Sequence, residues 1–277
     1  MRLPNFVKVS KKIMEKVKVL VSGAYGRMGQ AVVAAVLDDP ELELVGAVDL
    51  RGGIDVGDLI GRSMCGITVT ENLEDSIDTH QPDVMVDFTR PDVVFENACI
   101  ALKRKVSPVI GTTGLSDEAK ATIKKLSEEN NTPAFIAPNF AIGAVLMMLM
   151  AKQAAKYLPN VEIIELHHDN KLDAPSGTAV QTAQMIAEVR EKIKQGHPDE
   201  KEVLPGSRGA DYEGMHIHSV RLPGLVAHQE VIFGGLGQTL TIRHDSQNRE
   251  SFMPGVLLAC KKVRGLKGLT IGLDKLL

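Results

Sequence analysis

Val17-Lys18-Val19-Leu20-Val21-Ser22-Gly23-Ala24-Tyr25-Gly26-Arg27-Met28-Gly29-Gln30 is an apolar, β-branched run that feeds directly into three spaced glycines. Val17 to Val21 predicts a buried strand. The residues after the last glycine carry an apolar helical pattern through Leu37 and stop at Asp38-Asp39-Pro40, and Leu42 to Asp49 predicts a second strand. Strand, helix and strand in this length form a βαβ unit. Its glycines fall at 23, 26 and 29, not at the commonest G-x-G-x-x-G spacing, yet each has a physical task. Gly23 makes a tight turn, Gly26 lets a pyrophosphate approach the backbone, and Gly29 lets the helix pack on the sheet. Asp49 stands twenty residues past Gly29, where a carboxylate accepts ribose hydroxyls. Arg51 is placed to pair with a 2′-phosphate. A plain tight turn would explain the glycines alone; strand, helix and distal acid together point to a dinucleotide.

The alternation continues outward from this unit. Strands are expected at Ile67 to Thr70, Asp83 to Phe88, Val106 to Ile110 and Ala134 to Ala137, with helices ending near Thr79, Lys103 and Asn130, the last capped by Ser116. Alternating strands and helices imply a parallel sheet covered on both faces, with ligands at the carboxyl ends of its strands. Phe88-Thr89-Arg90, Gly111-Thr112-Thr113-Gly114 and Ala137-Pro138-Asn139-Phe140 all fall at such ends and are natural walls for a nicotinamide.

After Phe140 the pattern changes. A long helix over Gly143 to Leu158 leads to a strand at Val161 to Leu166 and then to Glu165-Leu166-His167-His168-Asp169-Asn170-Lys171-Leu172-Asp173-Ala174-Pro175-Ser176-Gly177-Thr178-Ala179. Ser176 is a good N-cap for a helix expected from Gly177 to the Ile193 region and ending near Gln195. Residues 197–214 read as a polar loop. Met215 to Leu222, His228 to Phe233 and Gln238 to His244 read as successive strands of an antiparallel meander. Residues 249–263 predict an amphipathic helix that returns to the first domain. The expected fold is therefore α/β: a Rossmann-type dinucleotide-binding domain over residues 1–139 and 248–277, with 1–15 a loose extension, plus an α+β domain over residues 140–247 with a mixed, mostly antiparallel sheet. An open sheet face predicts a symmetric oligomer.

Composition excludes several classes. The 277 residues are 44% hydrophobic and 24% charged with a net charge of −3, which leaves no electrostatic footprint for nucleic acid. Three scattered cysteines, Cys65, Cys99 and Cys260, argue against a disulfide framework and fit a reducing, cytoplasmic setting. The richest apolar stretch, Ala141 to Ala151, is too short to span a bilayer. Lys8, Lys11, Lys12 and Lys16 near the amino end lack the apolar core and cleavage site of a leader.

The loop at 165–179 carries the chemistry. It gathers two imidazoles, the Lys171 ammonium and a helix N-terminus, whose free N–H groups and dipole favour a carboxylate. Histidine exchanges protons near neutral pH. Adjacent histidines on a strand point to opposite faces, so at most one need face a site, and their spacing is poor for chelation, so no metal is expected. A dinucleotide module beside an acid-binding, proton-supplying module predicts hydride transfer to a small acid with protonation at a neighbouring atom. Another two-domain nicotinamide-dependent reductase, or a non-catalytic nucleotide sensor, would share the first module; the loop speaks against both.

Glu165-Leu166-His167-His168 with Lys171 to Ala179 closely resembles the signature of the 4-hydroxy-tetrahydrodipicolinate reductase family, as do Gly23 to Gly29, Val86-Asp87-Phe88-Thr89, Gly111 to Gly114 and Ala137 to Phe140. The resemblance runs from about Lys16 to the C-terminus. It implies reduction of a small cyclic dicarboxylate by NADH or NADPH, with loss of water, in the diaminopimelate route to lysine, by a cytoplasmic homotetramer joined through the substrate-domain sheet. It implies that His167 is the proton donor, Lys171 a second one and His168 a substrate contact, with Gly177 and Thr178 at a substrate carboxylate; Ser176, the N-cap of the same helix, stands at that carboxylate by the helix-terminus argument. It matches Gly23, Ala24, Tyr25, Gly26, Arg27 and Met28 to the pyrophosphate loop and Asp49 to the adenosine ribose. Gly111, Thr112, Thr113, Ala137, Pro138, Asn139 and Phe140 match the nicotinamide side. Leu50 stands where members that use the phosphorylated cofactor often carry Arg, and Asp49 is shorter than the Glu often seen. Both favour NADH, while Arg51 leaves NADPH open.

Overall fold

The computed structural model describes residues 15–277, so the expected extension lies almost entirely outside the described residues. Chain order gives β1 (Val17–Ser22), α1 (Arg27–Asp38), β2 (Leu42–Val48), α2 (Val56–Leu59), β3 (Val69–Thr70), α3 (Leu73–His80), β4 (Val84–Asp87), α4 (Val94–Lys103), β5 (Ser107–Ile110), α5 (Asp117–Glu129) and β6 (Ala134–Ile136). Then follow α6 (Ile142–Ala154), β7 (Asn160–His167), α7 (Gly177–Ala187), β8 (Ala210–Tyr212), β9 (Met215–Arg221), β10 (Ala227–Gly235), β11 (Gln238–Ser246), α8 (Met253–Lys262) and β12 (Leu269–Ile271).

Seven strands form a parallel sheet in the order β12-β6-β5-β4-β1-β2-β3. Val19, Val21, Val84, Val86, Val109 and Phe135 are fully buried in it. Strands covered on both faces bury every side chain, which is why these segments are continuous apolar runs rather than alternating ones. Strand order reverses between β1 and β4, and a crevice opens there at the carboxyl ends. This is the expected Rossmann-type architecture, joined to a second domain built on a mixed sheet.

That second sheet has the order β11-β10-β7-β9-β8. β7 pairs in parallel with β9, and every other pairing is antiparallel. The expected meander of three successive strands is corrected here: of those three only β10 and β11 pair with each other, while β9 pairs with β8 and β7, and β7 inserts between β9 and β10. Periodicity reports that a strand exists, not who its neighbours are. β7 carries Val161, Ile163 and Glu165 fully or nearly fully buried on its inner face, so it takes the centre, where both its edges are paired.

Three further differences have local causes. The helix expected to reach Ile193 stops at Ala187. Arg190 is 7% exposed, and its guanidinium donates to the carbonyls of Pro159 (2.5 Å), Glu213 (2.9 Å), Ile193 (3.2 Å) and Gly214 (3.3 Å). Gln195 pairs through its amide with both backbone groups of Val161, at 3.0 and 2.9 Å. Residues 188–195 thus fold back along β7 instead of extending the helix. The helix expected over 249–263 begins with a 3-10 turn, Arg249–Phe252, before α8, which packs against α1, β1 and β5. β12, unanticipated, adds an edge to the first sheet beside β6.

Arg190→Ala would leave several buried carbonyls without donors, a cost of roughly 3 kcal/mol. Urea unfolding of this variant should show a clearly lowered midpoint; an unchanged one would contradict the role of this side chain.

Candidate active site

The loop after β1 takes its shape from glycine. Gly23 has φ +86°, and a Cβ there would lie 2.9 Å from the Phe88 carbonyl oxygen, while a Cβ on Gly29 would lie 2.0 Å from the Gly23 carbonyl oxygen. The loop, helix α1 and the end of β4 are therefore packed too closely for any larger residue. Gly23 and Ala24 donate their N–H groups to Val48 O, and Tyr25 donates to Asp49 Oδ2 at 2.8 Å. Gly26 is the N-cap and supplies no side-chain acceptor, so among the described residues the N–H groups of Arg27 and Met28 have no capping side chain. The N–H groups left open at this helix end are those of Arg27 and Met28, while Gly23, Ala24 and Tyr25, whose N–H groups are engaged, shape the turn. Ala24 itself is fully buried.

A cleft of about 430 Å³ lies over this loop, lined among others by Gly23, Tyr25, Gly26, Asp49, Glu71 and Phe88. Asp49 is half-buried, with Oδ1 accepting from Leu50 N at 2.7 Å. Arg51 is exposed and stands over the Tyr25 ring, its Cζ 5.8 Å from the centroid. Glu71, not anticipated, accepts from Gly52 N at 3.1 Å at the same rim. A glycine-walled cleft at the switch point, a helix N-terminus and a carboxylate at the end of β2 fit a dinucleotide.

One buried carboxylate sets the loops on the far side. Asp87 Oδ1 accepts from Thr89 N (2.9 Å), Thr89 Oγ1 (2.7 Å) and Thr112 Oγ1 (3.0 Å), and Oδ2 accepts from Asn97 Nδ2 at 2.8 Å. Thr112 is thus buried with its hydroxyl engaged, while Thr113 is exposed. Gly111 faces the Phe88 ring, which an added Cβ would approach to 2.1 Å. Phe88 and Phe140 pack with ring centroids 5.8 Å apart. Ala137 and Phe140 are buried, so Pro138 and Asn139 form the accessible part of that turn. Asn139 accepts from Ala141 N at 2.8 Å and donates to Thr178 Oγ1 at 3.2 Å, tying the end of β6 to the start of α7.

The 165–179 stretch is organised by Glu165, whose side chain is wholly buried. Residues 161, 163, 165 and 167 share the inner face of β7. Glu165 Oε2 meets His167 Nδ1 at 2.5 Å and accepts from Arg221 Nη1 at 2.9 Å. Its Oε1 accepts from Arg221 Nη2 at 2.7 Å and from Ser176 N at 3.2 Å. Burial pushes this carboxyl up, but hydrogen bonds from His167 and Arg221 outweigh it and hold the pKa down at about 2. Ser176 Oγ accepts from Ala179 N at 3.2 Å, leaving the N–H groups of Gly177 and Thr178 at the open end of α7.

His167, Ser176 and Thr178 come together with Pro138 and Asn139 in a pocket of about 200 Å³. His228, Gln229 and His244 also line it and were missed, because each belongs to a strand whose pairing partner the sequence does not name. Burial lowers the His244 pKa, favouring its neutral ring. Lys171 and His168 are not part of this lining: His168 is exposed past the end of β7, and the Lys171 ammonium pairs with Asp173 Oδ1 at 2.7 Å. Among the described residues no cluster of side chains could hold a metal ion, and no helix is long and apolar enough to cross a membrane.

A Rossmann-type cleft in one sheet and, beside the second, a pocket lined by half-buried imidazoles and an open helix N-terminus define a two-domain, dinucleotide-dependent oxidoreductase. The family model for the dihydrodipicolinate reductase N-terminus matches residues 17–140, and that for the C-terminus matches residues 143–277. The chain therefore belongs to the dihydrodipicolinate reductase family. It is 55% identical over 266 residues to 4-hydroxy-tetrahydrodipicolinate reductase of Desulfitobacterium hafniense, covering 95% of this chain and 100% of that one. The enzyme of the same name from Halalkalibacterium halodurans is 55% identical over 262 residues, 94% and 99% of the two chains. The dipicolinate-bound dihydrodipicolinate reductase from Paenisporosarcina sp. superposes with a TM-score of 0.85 at 52% identity, over 95% of this chain and 100% of that one.

The Glu165 carboxyl is depressed from 4.5 in an ordinary glutamate to about 2, so its share of stability is complete above about pH 4.5 and is lost as pH falls toward 2. Acid titration followed by circular dichroism should show the wild type losing stability through this window more steeply than a Glu165→Gln variant; parallel curves would contradict the assignment.

Proposed function

We propose that the protein reduces 4-hydroxy-tetrahydrodipicolinate to tetrahydrodipicolinate with loss of water, using NADH or NADPH, in lysine and diaminopimelate biosynthesis. The observation that carries this is the pocket in which Asn139, from the end of the cofactor-side sheet, meets His167 and the N-terminus of α7. When bound, the reduced nicotinamide supplies a hydride. The chain binds, orients and protonates. Gly177 and Thr178 present N–H groups to one substrate carboxylate, and the dipole of α7 favours that charge. His167, held at Nδ1, gives a proton from Nε2 to the ring carbon beside the one that takes the hydride. Lys171, drawn from Asp173, adds positive charge and gives the second proton to the departing ring hydroxyl, which leaves as water as the adjacent ring carbon gives up the proton that His167 later replaces. Phe88 and the Gly111-Thr112-Thr113 turn wall the nicotinamide side, and Asp49 receives the adenosine ribose. In this reading residues 1–139 and 248–277 serve the dinucleotide, and residues 140–247 serve substrate and assembly.

Assembly through the five-stranded sheet is supported by its outer face. Ile164, Leu166, Val220 and Ile232 are only half-buried there, while α6 and α7 cover the opposite face. A row of aliphatic side chains on a paired sheet suits a symmetric partner of the same chain, and a homotetramer in the cytoplasm is the proposed state.

Following NAD(P)H absorbance with substrate generated in situ, His167→Ala should lower turnover roughly 100- to 10,000-fold. Lys171→Ala should lower it by orders of magnitude while leaving NADH affinity unchanged; a wild-type rate would reject either role. Arg51→Ala should weaken kcat/KM for NADPH more than for NADH, since a guanidinium pairs with the 2′-phosphate only; equal effects on both would reject that pairing.

A further inference from the structure

We infer that Glu165 and Arg221 form a positioning pair for the proton transfer, a role that holds only if His167 is the proton donor proposed above. Neither residue touches the accessible part of the pocket. Both act through the groups that do.

Three observations converge on this pair. Glu165 and His167 are two residues apart on one strand, so they share the inner face, and the carboxylate meets Nδ1 and not Nε2. An ionised carboxylate only accepts, so Nδ1 must be the protonated nitrogen of the pair. The proton that comes and goes is then confined to Nε2. Arg221, which lies opposite His167 in the β7–β9 register, engages both carboxylate oxygens in a two-pronged contact. This keeps Glu165 ionised and leaves it one orientation. Arg221 Nη2 also donates to Asp173 O at 2.7 Å, and Glu165 Oε1 receives Ser176 N. One ion pair, its carboxylate wholly buried, therefore fixes three things together: the tautomer of His167, the N-terminus of α7, and the loop that carries Lys171 and Asp173. The spacing between proton donor and carboxylate site becomes a property of the fold, settled before substrate arrives.

A merely structural ion pair would leave the ring tautomer of His167 unconstrained and would change stability without singling out turnover. Glu165→Gln keeps the shape but adds an N–H donor that no longer selects Nδ1–H. Its kcat should fall roughly 10- to 10,000-fold, the span of losses when a group that orients a working histidine is removed, with the NADH dissociation constant unchanged. Arg221→Lys cannot make the two-pronged contact and should fall in the same direction. Nitrogen NMR of histidine-labelled wild-type enzyme at about pH 9, well above an ordinary imidazole pKa, should show His167 protonated at Nδ1 and bare at Nε2, and Glu165→Gln should show a mixture. A wild-type His167 protonated at Nε2 would overturn the inference even if the variant failed to fold. So would a Glu165→Gln turnover within about twofold of wild type beside a crippled His167→Ala, set against the expected scale. A His167→Ala enzyme at the wild-type rate would be a different failure, removing the proton donor itself and with it any need for a positioning pair.

Discussion

The Glu165 carboxylate is the contact on which the back half of the molecule depends. A wholly buried anion is tolerated only when paired and hydrogen-bonded. Here a guanidinium, an imidazole and a backbone N–H surround it. Removing any of them would leave charge stranded in the core, so the arrangement is self-locking. The same oxygens that stabilise the anion define where His167, Ser176 and the 171–175 loop stand.

Asp87 does comparable work in the front half. It ends β4, is fully buried, and gathers Thr89, Asn97 and Thr112 from three segments at the carboxyl ends of the parallel strands. Each sheet thus closes on an acid at or near the end of a buried strand. The two assemblies meet where Asn139 donates to Thr178, and Phe140 packs between Phe88 and Phe135 at that seam. Close packing against backbone at Gly23 and Gly29 and against the Phe88 ring at Gly111 leaves little room for the cofactor-side loops to shift relative to the sheet beneath them.

Much of this was readable one residue at a time. Val17 to Asp49 declared a βαβ unit because strand period, glycine spacing and a distal acid are all local. Ser116 and Ser176 declared helix starts because an N-cap needs only its own three neighbours, and both do accept from the expected N–H. What stayed hidden was long-range. The helix expected to reach Ile193 stops at Ala187 because Arg190 finds carbonyls at Pro159 and Glu213, one brought by β7 and the other by the turn before β9. Glu165 looked like an ordinary strand glutamate, although its parity with His167 was in plain view, because its worth depends on Arg221, 56 residues on.

The sequence by itself determined the α/β class, the dinucleotide cleft at the end of β1, and the histidine- and lysine-bearing loop before α7. These follow from periodicity, capping and glycine freedom, which are properties of short segments. Only the tertiary structure decided that β7 is central in its sheet, that Lys171 sits on Asp173, and that Glu165, Arg221 and Asp87 hold the site loops in place. The reason is that buried charge is governed by partners brought together across the fold, and a linear chain does not say which groups will be desolvated side by side.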